Sequence, residues 1–192
     1  MQKNHTLKSS EGVMGLITVT NYDLMNAPAR AHEISDILGK AAGMEPSIYR
    51  ELCAELASLC SVSKYTFKNR VLLAARTMQV GRLVGVTTYT GIINYGAVGT
   101  GTTAVADSDV DLDNEIARKL YATRSNTDDE LTIDFFYTKA DFDDTVEEFG
   151  LIIDGTATAD SGLLFNRALT GGWSKTSLEA MTVSIVVSID AV

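Results

Sequence analysis

Cysteine, proline, histidine and tryptophan are all scarce in this chain of 192 residues, at two, two, two and one. Two cysteines exclude a disulfide-stapled scaffold, and no C-x-x-C pair is present to suggest zinc. Cys53 and Cys60 are seven apart on an expected helix. They are separated by about 10.5 Å along its axis, too far for a bridge within it, and read as small buried apolar residues. No apolar run approaches the roughly 18–20 residues that cross a bilayer, so no spanning helix is expected. The opening MQKNHTLKSSEGVMG has no apolar stretch behind its lysines, so a secretory leader is not expected. The net charge of −9 argues against wrapping duplex DNA, which takes many cations facing phosphate.

Acid is also missing locally. None occurs between Glu55 and Asp107, where Lys64, Lys68, Arg70, Arg76 and Arg82 stand. Residues 107–160 then hold sixteen of the 25 acids against four bases, a net of −12. Two readings are open: complementary surfaces that mate between subunits, or acids on solvated faces that keep the protein soluble.

What is present is β-forming. Residues 1–12 are polar and read as a flexible arm. Met14–Thr20 is rich in β-branched residues and reads as a strand. A helical block over about 28–86 follows. Ile34, Ile37, Leu38 and Ala41 mark its first stripe, and Gly43 its stop. Pro46 opens a second helix with Ile48, Leu52, Leu56 and Leu59 inward. A third runs from about Thr66 to Arg82, with Phe67, Val71, Ala74, Ala75 and Met78 inward. Beyond Gly85 the period changes to two. Strands are expected at 87–98, 116–123, 131–137, 146–154, 162–169 and 181–189. The apolar phase slips between Val146 and Phe149, which predicts a bulge. Helices gathered in one block are not βαβ crossovers. The expectation is a mainly β, α+β chain. A single antiparallel β-sandwich domain of about six to eight strands would cover 13–192, with about three helices on one side.

The candidate sites are few. Gly96-Ala-Val-Gly-Thr-Gly-Thr-Thr103 nearly fits a phosphate loop, but Thr102 stands where the lysine belongs. Gly96, Gly99 and Gly101 are better read as a turn, with backbone angles that a Cβ resists at Gly99 and Gly101. Asp107, Asp109 and Asp111 alternate like the start of a calcium loop, but Leu112 and Arg118 occupy the positions of its glycine and glutamate. They remain weak metal candidates only. His5 and His32 have no neighbouring nucleophile motif. Glu147 and Glu148 point to opposite sides of a strand, so they are not a paired acid and base. Trp173, in an expected loop at Leu169–Lys175, reads either as a lid on the sandwich edge or as a partner anchor. No cofactor and no catalytic set is expected.

The segment Asn94–Arg118, with its GTGTTA loop, polar stretch and following strand, resembles a pattern common in structural proteins of tailed bacteriophages. Val146-Glu-Glu-Phe-Gly-Leu151, Leu163-Leu-Phe-Asn-Arg167 and Met181-Thr-Val-Ser-Ile185 resemble that family's later strands, in order. Lys68-Asn-Arg-Val-Leu-Leu73 resembles its preceding helix. The likeness covers about residues 67–192, has Val105 where the family carries proline, and does not extend to residues 1–66. It implies a non-enzymatic virion component of the tail, baseplate or fibre-attachment region. Such a component forms a homo-oligomer and contacts other virion proteins, with no nucleic acid or membrane. Alternatives are a capsid decoration or head-fibre protein tethered by residues 1–12, or a host-surface carbohydrate-binding module using Trp173, Tyr137 and Tyr121. The basic residues Lys64, Lys68, Arg70, Arg76 and Arg82, with Trp173, are the expected partner contacts.

Overall fold

The computed structural model describes residues 14–188. The expected arm at 1–12, His5 and the final residue of the expected last strand, Ile189, lie outside them. The described residues are mostly β with three helices. Strand β1 (Met14–Asp23) leads to helices α1 (Ala29–Gly39) and α2 (Pro46–Leu59), then strand β2 (Ser61–Val71) and helix α3 (Leu73–Leu83). Seven strands complete it: β3 (Ile93–Gly99), β4 (Glu115–Leu120), β5 (Thr123–Thr127), β6 (Glu130–Tyr137), β7 (Asp144–Ile153), β8 (Leu163–Lys175) and β9 (Glu179–Ser188).

All nine strands belong to one antiparallel sheet, in the order β4-β3-β7-β8-β2-β1-β9-β6-β5. The expected pair of separate sheets is therefore corrected to a single curled one. Two features cause the curl. β2 pairs with β1 along its whole length but with β8 only at Arg70 and Val71, so the sheet splays beyond that point. At the other side, β4 and β5 are separated only by Tyr121 and Ala122, yet they form opposite ends of the strand order. Residues 115–127 thus act as one bent strand serving both edges. The single strand expected at 116–123 straddles that bend.

The curled halves enclose one core. Period-two alternation aims Ile17 and Val19 of β1, Met181, Val183 and Ile185 of β9, and Ile133, Phe135 and Tyr137 of β6 inward. They meet Val98, Val146, Phe149, Leu151 and Phe165 from the other half. Each fully buried large side chain contributes about 1.5–3 kcal/mol. The approach is close: Gly96 lies against the Phe135 ring, where a Cβ would come within 2.9 Å, and the Tyr137 hydroxyl donates to the Gly96 carbonyl at 2.8 Å.

The α1–α2 hairpin covers part of the outer sheet face. Ala31, Ile34, Leu38, Tyr49 and Leu56 pack on Tyr22, Phe136 and Ala180. Pro46 begins α2 as expected, where its missing N–H costs nothing. Ile37 and Ile48, expected inward, are exposed. The hairpin presents only a narrow stripe to the sheet.

The helical block is not continuous. Residues 61–71 form a strand where a helix was expected from Thr66, and the third helix begins at Leu73. The phase slip in β7 is where the sequence placed it: register against β8 shifts between Val146 and Glu148. β3 starts only at Ile93, so residues 87–92 are not strand. β8 runs on to Lys175, eating into the expected loop.

Candidate functional site

The strongest electrostatic feature is buried where β7, β8 and the loop between β3 and β4 meet. Arg167 of β8 and Glu148 of β7 are both almost fully enclosed, at 1% and 0% side-chain exposure. Burial lowers the basicity of the Arg167 guanidinium, but Asp109, Glu148 and Asp113 outweigh it, so it is held above its ordinary value. Its Nε donates to Glu148 at 2.7 Å and Nη1 to Asp109 at 2.9 Å, and Nη2 sits 2.9 Å from Asp113. The Glu148 carboxylate also accepts backbone N–H groups from Gly101, Asp113 and Asn114 at 3.0, 3.2 and 2.9 Å.

This arrangement explains the glycine loop. Its amides do cradle an anion, but the anion is the chain's own Glu148. No helix follows the loop, so the phosphate-loop likeness ends at the glycines. Gly96 and Gly99 lie within β3, not in a turn. Neither Gly99 nor Gly101 adopts the left-handed backbone expected of them. What they lack is room. A Cβ on Gly99 would come within 2.6 Å of the Asn114 carbonyl, and one on Gly101 would collide with Glu148 and Asp113. The constraint is close approach to a buried carboxylate.

The acidic loop is also committed internally. Asp109 is held by Arg167, and Asp107 faces Arg70 and Arg76 at 3.0 and 3.1 Å. Asp111 stands apart, its carboxyl raised by burial and by Asp160. Three carboxylates that alternate in sequence therefore do not converge. No metal-ligating cluster of three occurs among the described residues. Arg70 and Arg76, two of the expected partner contacts, both pair with Asp107 of their own chain while their side chains stay exposed. Lys64 and Lys68 are exposed on β2, and Arg82 lies in the last turn of α3.

Trp173 is likewise relocated. It lies in β8, 3% exposed, with its ring stacked on Phe67 of β2 at 5.5 Å. It closes the core where the two strands splay and is not available as a surface anchor. Tyr137 is buried, and Tyr121 lies under the Arg124 guanidinium at 4.2 Å. The three aromatics named for carbohydrate contact thus form no exposed platform. Cys53 and Cys60 are half-buried free thiols, both raised chiefly by burial.

Beside the acidic loop lies an open groove of about 570 Å³. Leu73, Met78 and Gly81 of α3 form one wall, Val86 and Tyr89 a second, and Val110 and Leu163 a third. Only Ala75 of α3 is fully buried. Leu73, Val80, Leu83, Val84, Val86 and Val110 remain largely exposed around it. The Arg76–Asp107 and Arg167–Asp109 pairs tie the loop wall to α3 and to the sheet, so the groove is pre-shaped by charge. Sequence reading missed Glu148 and Arg167 as a centre. The available signal was a charge set inside apolar strand runs, EEFGLII and LLFNRAL.

Comparisons with protein-family models, curated proteins and solved structures find no match.

Proposed function

We propose that this chain is a non-enzymatic structural protein of a tailed-phage virion, assembling symmetrically with copies of itself in the tail, baseplate or fibre-attachment region. The observation that carries the reading is the apolar surface around α3. A helix with one fully buried residue and a rim of exposed Leu and Val, beside a pre-shaped groove, is suited to contact. The ordered resemblance of residues 67–192 to phage structural proteins supports it. We read the halves β4-β3-β7-β8 and β2-β1-β9-β6-β5 as two layers of a sandwich-like body, stiffened by the ion network around Arg167. The charged groups of that network are spent on holding loops, which suits a scaffold.

The test is the mass of the purified protein in solution by light scattering across concentration. A closed oligomer of a few to a dozen identical copies is expected. A monomer at every concentration overturns self-assembly.

A further inference from the structure

In the run β2-β1-β9-β6-β5, β2 carries lysines at one side and the tip beyond β5 carries acids at the other. β2 pairs with β8 only through Arg70 and Val71, so among the described residues Ser61–Asn69 has no strand on that side. Lys64 and Lys68 stand exposed on it, flanked on the same face by Val62 and by Leu16 of β1, each about half exposed. Neither lysine has an acidic partner among the described residues. The far edge is β5, which no other strand pairs on its outer side among the described residues. The tip joining β5 to β6 carries Asp128, Asp129 and Glu130, all exposed. Their only described side-chain contact is the Ser188 hydroxyl on Glu130.

Lys68 and the acidic tip lie toward one end of the sheet, whereas Lys64, in the row of Thr20, Thr182 and Phe136, lies toward the other. Lys68, Leu16, Val186, Thr132 and Ser125 form one cross-strand row, and Arg70, Met14, Ser188, Glu130 and Thr127 the next but one. β2 and β5 run in the same direction, because four antiparallel steps separate them.

We infer that copies of this chain join head to tail. The β2 edge of one lies along the β5 edge of the next, and Lys68 meets the acidic tip. Unpaired edge N–H and C=O groups supply the backbone contact. The lysines repel a second β2 and admit an acidic tip, which selects the heterologous pairing over a two-fold one. Repetition of such a contact gives a ring if the rotation closes and a filament if it does not. The inference rests on the reading that the chain assembles with itself.

Two measurements test it. Within one copy Lys68 and the tip are separated along the sheet by four strand spacings, about 19 Å. A zero-length carbodiimide cross-link cannot span that distance. Mixed heavy- and light-isotope protein should therefore yield Lys68 linked to Asp128, Asp129 or Glu130 between copies. In the second, K68E and D129K/E130K are each expected to weaken association at least tenfold, measured by light scattering, with circular dichroism unchanged. An equal mixture of the two variants is expected to reassemble, because every edge then finds a complementary tip. Asp128 is left alone because its φ of 52° suits Asp better than Lys. Wild-type oligomers that ignore both variants and give no such cross-link overturn this interface and leave the functional reading standing. A wild-type monomer at all concentrations overturns both.

Discussion

Replacing Arg167 with methionine tests the electrostatic account directly. The substitution keeps a long apolar stem and removes the guanidinium. Glu148, fully enclosed, would keep its three backbone N–H donors but lose its counter-charge. Asp109 and Asp113 would lose theirs as well. Removing one partner of a buried pair costs about 3–5 kcal/mol, because the remaining charge is left uncompensated. At about 2–4 °C per kcal/mol for a chain of this size, Tm should fall by roughly 6–20 °C. Thermal and urea unfolding at neutral pH would measure it. R167M/E148Q removes both charges and should be less destabilised than the sum of the single variants. R70M breaks only an exposed pair with Asp107 and should cost less than about 1 kcal/mol. A loss below about 1 kcal/mol for R167M, or full additivity in the double variant, would refute the reasoning.

Other expectations follow from the same contacts. Gly101→Ala should destabilise by more than about 1 kcal/mol despite an ordinary backbone, because its Cβ meets Glu148 and Asp113; a neutral result in chemical denaturation removes the close-approach argument. Asp134 lies beneath the α1–α2 hairpin, and burial raises its carboxyl above the usual range. Its penalty grows as pH rises through the folded pKa, so D134N should raise Tm at pH 7 and lose that advantage toward acid pH. Lys175 is enclosed, donating to the Phe142 carbonyl at 2.7 Å, and burial pulls its ammonium down to about 8. The folded state then binds fewer protons than the unfolded one between about 8 and the ordinary lysine value. Stability should therefore rise with pH from 8 to 9.5, within an envelope of about 3 kcal/mol. K175M should flatten that rise. Above that range burial of Tyr22 and Tyr137, which raises both hydroxyls, opposes it.

The sequence was legible where a strand has one buried face. Met181–Val187 alternates cleanly, and the slip at Val146–Phe149 betrayed its bulge. It was silent where strands lack that asymmetry. β2 is exposed along most of its length, so Phe67 and Val71 fell into step with Ala74, Ala75 and Met78 and mimicked a helix. β5, TRSNT, carries no apolar residue. β8 passes through Gly171 and Gly172, both at positive φ, and two glycines before a tryptophan read as a loop. The ion centre was hidden for a different reason. Glu148 and Arg167 are nineteen residues apart and meet only because β7 and β8 pair. The alternating aspartates looked like a ligand set until the fold supplied an arginine to nearly every one.

The bend at Tyr121–Ala122 has a consequence for how the molecule can come apart. One short covalent elbow joins both margins of the sheet, so neither half can peel away like a page without carrying the other's border strand. Met14 and Ser188 are register partners on adjacent strands, which brings the two ends of the described chain together as well. The body is therefore a loop of strands fastened at two points. Cleaving the elbow, or moving the termini there by circular permutation, would uncouple the two borders and let the wrapped body open into a ribbon.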